Sequence, residues 1–137
     1  MKRVLFLCTG NSARSQMAEA LLRHLGGDDF EVYSAGTRPQ SKVNTFAIEA
    51  LKERGIPTEG LYPKHVKEFV QLEIDLVVTV CDNARQVCPH FPGAKRMEHW
   101  SLEDPVAFQG TYDEILFVFG ETRDEIERRI RSNILEQ

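Results

Sequence analysis

Cys8, Cys81 and Cys88 are the three cysteines of this 137-residue chain, and the residues around each suit a reactive sulfur. Cys8 opens the segment Cys8-Thr9-Gly10-Asn11-Ser12-Ala13-Arg14-Ser15, with an arginine six positions after the thiol. Backbone N–H groups of a tight loop of small residues, joined to a helix N-terminus, make a cradle for an anion. Arg14 can clamp two oxygens of a tetrahedral oxyanion through its planar fork. The same field is expected to lower the pKa of Cys8, whose thiolate is the nucleophilic form. Ser15 can donate a hydrogen bond to that thiolate, and Gly10 and Asn11 suit the backbone of a curled loop. The plainer alternative is a buried cysteine before an ordinary strand-to-helix turn. Neither Gly-x-Gly-x-x-Gly nor Gly-Lys-Ser/Thr is present, so dinucleotide and nucleotide-phosphate loops are excluded.

Cys81 and Cys88 are seven residues apart. On a helix their Cα atoms would lie about 10.5 Å apart, whereas a disulfide needs roughly 4.4–6.8 Å. The pair is thus a dithiol on a helix or a disulfide on a remodelled loop, but not both in one conformation. Pro89 and Pro92-Gly93 follow and would let the segment loosen. Two inert buried cysteines are the competing reading, and Cys-x6-Cys is a poor spacing for zinc. Asp104, before Pro105, is held extended and could protonate an oxygen leaving a central atom, although an isolated Asp-Pro by default only forms a turn.

The elements that must position these groups alternate between strand and helix. Strands are expected at Arg3–Leu7, Phe30–Ser34, Asp75–Val80 and, more weakly, Lys95–His99. Helices are expected at Ser15–Leu25, Asn44–Arg54, Lys64–Val70 (short) and Tyr112–Leu135. The last is opened by a Thr111/Glu114 capping box, with Ile115, Leu116, Phe119, Ile126, Ile130 and Ile134 facing inward. This alternation implies an open parallel α/β sheet with helices on both faces. Ligands of such sheets bind beyond the carboxyl ends of the strands. The residues just after Leu7 and Val80 are both cysteine.

Length and composition predict one domain over residues 1–137, large enough to bury a core without disulfides. The odd cysteine count fits a reducing, cytoplasmic setting. A formal charge of −4 argues against a nucleic-acid or anionic-membrane partner. The apolar run Val4–Cys8 is too short for a signal core or a membrane span. His24, His65, His90 and His99 show no ligand spacing and read as surface or packing residues, and Trp100 reads as a core or loop anchor.

CTGNSARS resembles the oxyanion loop of the low-molecular-weight protein tyrosine phosphatase superfamily, and with QMAEA after it most resembles the thioredoxin-coupled arsenate reductases. The blocks VYSAGT, DLVVTVCDNARQVCP and EHWSLEDP extend the likeness over nearly the whole chain. The resemblance implies a four-stranded parallel sheet of order 2-1-3-4, like that of phosphotyrosine protein phosphatase I. It implies oxyanion binding by Thr9, Gly10, Asn11, Ser12, Ala13 and Arg14, with phosphate or sulfate as analogues of arsenate. It makes Cys8 the nucleophile, Asp104 the general acid, and Cys8, Cys81 and Cys88 a three-cysteine relay reset by thioredoxin in a monomer, with no organic cofactor. Asn11, Glu19 and Ser34 match a monovalent-cation site of some relatives. Lys64 stands where a carboxylate ligand would be expected, so its ammonium is expected to replace the cation and no metal is implied.

Two rival readings follow from the same residues. One is a phosphatase working through phospho-Cys8, although Val106-Ala107-Phe108 replaces the aromatics that usually follow Asp-Pro there. The other is a metalloid-binding protein that uses the three sulfurs as ligands.

Overall fold

The computed structural model describes residues 1–81 and 91–136. Cys88, with the expected opening of its segment, and His90 lie outside the described residues. Strand β1 (Lys2–Cys8) leads into helix α1 (Arg14–Gly26), then β2 (Phe30–Gly36), α2 (Thr45–Glu53), β3 (Ile74–Thr79), β4 (Ala94–His99) and α3 (Tyr112–Ile130). The four strands form one parallel sheet of order β2-β1-β3-β4. Leu7 is opposite both Ala35 and Thr79, so the ends of the two central strands are level.

Alternation along the strands separates two cores, because successive side chains point to opposite faces. Val4, Phe6, Val32, Leu76 and Val78 pack against Met17, Leu21 and Leu22 of α1, Ala47 and Leu51 of α2, and Phe119, Ile126 and Ile130 of α3. Leu5, Leu7, Ala35 and Val77 form the opposite face with Phe69 and Phe91, joined there by Ile74 at the start of β3, outside the alternation. Trp100 is buried, tilted against Phe6 at 5.8 Å, and donates from Nε1 to Glu98, in line with its reading as an anchor.

Element ends follow their local chemistry. Asn44 caps α2 by accepting from the Phe46 N–H. Thr111 and Glu114 form the reciprocal capping box at the start of α3. Two expectations need correction. Lys64–Val70 is not an α-helix: it holds one 3-10 turn, Val66–Phe69, opened by His65 Nδ1 accepting from the Lys67 N–H. Lys64 itself is committed elsewhere, since its carbonyl accepts from the Gly36 N–H at 2.8 Å. The last helix keeps α geometry only to Ile130, and Arg131–Leu135 widens into a π turn that still buries Ile134.

Candidate active site

The ends of β1 and β3 place two sulfurs side by side. Cys8 closes β1, and Cys81 lies two residues beyond β3; both thiols are reduced and buried. Between Cys8 and α1 the chain curls through Thr9–Ala13, with Asn11 at a left-handed φ of 49°. That conformation is tolerable for asparagine because its short side chain bonds locally. Here Asn11 Nδ2 donates to Ser15 Oγ at 2.8 Å and Ser34 Oγ at 3.0 Å, while Oδ1 accepts from the Lys64 N–H.

The loop's carbonyls are taken up on its outer side. The segment after β2 runs alongside it: N–H groups of Thr37, Arg38, Gln40 and Asn44 donate to the carbonyls of Cys8, Thr9, Gly10 and Ser12. Asn11 O accepts from Gln16 Nε2 at 2.9 Å. In a trans peptide the N–H lies opposite the carbonyl, so the N–H groups of residues 9–13 turn toward the inner side. One of them, on Asn11, bonds to the Cys8 sulfur. Gly36 makes the close approach possible, because a Cβ there would stand 2.4 Å from Thr9 O and 3.1 Å from Asn11 Cβ.

Arg14 projects from the first residue of α1 with a side chain only 11% exposed. Its Nη1 donates to Leu102 O at 2.9 Å and reaches Val80 O at 3.4 Å, and its Nη2 lies 3.7 Å from Asp104 Oδ2. Asp104 is half-exposed, and its Oδ1 caps the next turn by accepting from the Val106 N–H. Thr9 Oγ1 lies 3.3 Å from Cys81 Sγ. Cys8, Thr9, Gly10, Ser12, Ala13, Arg14, Cys81 and Asp104 line one open cavity of ≈ 560 Å³, joined at its rim by Arg38, Gln40 and Val106. Ser15, buried below, accepts from Asn11 Nδ2, which leaves its own hydroxyl proton free to be donated.

The thiols affect one another. The hydrogen bond to Cys81 and burial push the Cys8 thiol up, against the pull of Arg14 and the Asn11 N–H. The expected lowering of Cys8 is therefore not found: Cys81 and burial outweigh Arg14 and the Asn11 N–H. Two buried sulfurs in contact hold one negative charge far more readily than two, so the first proton belongs to the pair.

Beneath the loop lies a second polar cluster. Ser34 Oγ donates to Glu19 Oε1 at 2.5 Å; Lys64 Nζ stands 3.5 Å from the same oxygen and donates to Tyr62 O at 2.7 Å. Burial pushes the Lys64 ammonium below its usual pKa, opposed by the Glu19 charge. Asn11, Glu19, Ser34 and Lys64 thus do share one site. Gln16 escaped sequence reasoning: its amide joins Asn11 O to Tyr62 O, tying the loop to this cluster. No sequence signal marked it, because its burial appears only in the folded chain.

Residues 3–136 match the family model for low molecular weight phosphotyrosine protein phosphatase, and the chain belongs to that family. Within it, the chain is 43% identical over 131 residues to an arsenate reductase of Halalkalibacterium halodurans, covering 96% of this chain and 94% of the relative. An arsenate reductase of Bacillus subtilis is 41% identical over 130 residues, covering 95% and 93%. Among solved structures, an arsenate reductase in the phosphate-binding state superposes with a TM-score of 0.84 at 31% identity, over 99% of this chain and 98% of that one. The thioredoxin-dependent arsenate reductase of Corynebacterium glutamicum gives 0.69 at 34% identity, over 100% of this chain and 64% of its own.

Proposed function

We propose that this chain is a thioredoxin-dependent arsenate reductase working through a three-cysteine relay. Arsenate binds in the loop of residues 8–14. The Cys8 thiolate attacks arsenic while Asp104 gives a proton to the departing oxygen, leaving arsenic covalently on sulfur. Cys81 then attacks the Cys8 sulfur. The S–As bond breaks with its electron pair going to arsenic, so arsenite leaves and a Cys8–Cys81 disulfide remains. Cys88 attacks Cys81, Cys8 departs as thiolate, and the Cys81–Cys88 disulfide is reduced by the dithiol of thioredoxin.

The observation that carries this reading is the contact between the buried Cys8 and Cys81 thiols at the mouth of an anion-shaped loop. An oxyanion displaces the balance of that pair: Arg14 and the loop N–H groups other than that of Asn11 compensate the anion, and the acidic proton of the pair can rest on Cys81 while Cys8 attacks. The Lys64 ammonium beside Glu19 supplies the positive charge below the loop without a bound cation.

The test is arsenate-dependent oxidation of reduced thioredoxin by the wild-type chain and its Cys8→Ser, Cys81→Ser and Cys88→Ser variants, in potassium and in sodium buffers. Each substitution is expected to stop multiple turnover, and the two cations are expected to serve equally. Cys81→Ser is also expected to spare cleavage of a phosphate monoester. Sustained arsenate turnover by Cys81→Ser would overturn the relay, and potassium activation would overturn the role given to Lys64.

A further inference from the structure

Arg38 is the one arginine among the described residues with no carboxylate within 4.0 Å. Arg3, Arg14, Arg23, Arg54, Arg96, Arg123, Arg128, Arg129 and Arg131 all have one. In a chain with a formal charge of −4, an unpaired guanidinium is conspicuous, and this one lies on the rim of the Cys8 cavity. Its stem is fixed. The Arg38 N–H donates to Thr9 O at 2.9 Å, Pro39 follows, and the Gln40 N–H donates to Gly10 O at 2.8 Å. Gln40 packs so closely over the loop that a Cβ on Gly10 would meet its Cγ at 3.1 Å. The head of Arg38, by contrast, is exposed.

The cavity is larger than its innermost occupant. A tetrahedral oxyanion takes on the order of 100 Å³, judged from the roughly 30 Å³ of a water molecule. The space of ≈ 560 Å³ therefore leaves the anion's outer oxygens facing the rim. We propose that Arg38 is an anion-capture residue, a second guanidinium that draws doubly charged oxyanions into the loop and sets their affinity without taking part in the thiol chemistry. A charge at the mouth of a low-dielectric cleft acts in this way by raising the local anion concentration and the rate of entry, an effect that salt screens. Arg14, buried and bonded to two carbonyls, is committed to the anion once inside; Arg38 acts on its way in.

This inference rests on the loop being an oxyanion site, so its test has one arm independent of arsenate turnover. Alkylation of Cys8, followed by peptide mass analysis, is compared for anionic iodoacetate and neutral iodoacetamide in the wild type and in Arg38→Ala, Arg38→Lys and Arg38→Glu. In low salt, Arg38→Glu is expected to lower the iodoacetate-to-iodoacetamide rate ratio by about tenfold and Arg38→Ala by about threefold, within the span of electrostatic steering. Arg38→Lys should keep most of the ratio, and half-molar salt should close the gaps. In the arsenate assay the losses should appear in kcat/KM and not in kcat. An unchanged alkylation ratio in Arg38→Glu overturns the proposal, as does a loss confined to kcat. If no variant, wild type included, turns over arsenate while the ratio still falls, the capture role stands and the reading of the reaction fails.

Discussion

The two halves of the site are held in different ways. On the thiol side nearly every atom is fixed: Cys8 and Cys81 are buried, the loop carbonyls are bonded, and Asn11 and Gln16 tie the curl to the cluster below. On the acid side, the Asp104 side chain is 47% exposed, 3.7 Å from Arg14, and otherwise caps its own turn. An ion pair that long and that wet contributes little to stability. The thiol half is thus built by the sheet and its crossovers, and the acid half by a local Asp-Pro turn placed near it. Substitutions should consequently damage fold and chemistry together on the first side, and chemistry alone on the second.

Beyond the cysteines themselves, the largest effect is expected from Gly36→Ala, remote in sequence from both Cys8 and Cys81. Its new Cβ would press on Thr9 O at 2.4 Å, with backbone on both sides and no flexible side chain to give way. Arsenate turnover should fall by about a hundredfold or more, the scale of a misplacement of roughly 1 Å. Chemical denaturation should show a loss of about 1–3 kcal/mol, typical of overpacking. Wild-type turnover in this variant would erase the contrast between the halves.

Asp104→Asn comes next. The isostere keeps the cap on Val106 but has no proton to give. Single-turnover arsenate reduction should slow by roughly a hundredfold, within the range for general acids, with an unchanged Tm. A drop in Tm would place Asp104 in the structural half instead.

The subtlest effect concerns pH. Cys81 is the largest influence raising the Cys8 thiol, and burial, which also raises it, stays when Cys81 is removed. In Cys81→Ala the alkylation profile of Cys8 should therefore move to lower pH, and its rate at neutral pH should increase. A shift toward higher pH would mean that Cys81 acts mainly as a donor to the Cys8 thiolate.

Strand ends and caps were legible because their chemistry is local. DLVVTV announces a strand buried on both faces, and Thr111 with Glu114 announces a capping box. The cysteine-arginine loop was legible for the same reason, as a string of small residues between a strand and a helix. Lys64–Val70 misled because its apolar spacing suits a helix, while the parallel bridge between Gly36 and His65 draws its first residues into an extended path. The mutual effect of Cys8 and Cys81 could not be read from residues 73 positions apart, since it depends on β1 and β3 being neighbours and level. Gln16 and Arg38 escaped for another reason: each acts on backbone or cavity that exists only once the loop has curled.

The outward-turned carbonyls of that loop bear on how the protein behaves in a test tube. With the carbonyls committed outside, the inner ring offers N–H donors around the Cys8 sulfur, which already accepts from that of Asn11. An anion that binds this loop would stabilise the fold by mass action, by about 2.7 kcal/mol at a hundred times its dissociation constant. On the proposed reading, phosphate and sulfate buffers would act as ligands of the loop, and melting temperatures measured in them would belong to a loaded site.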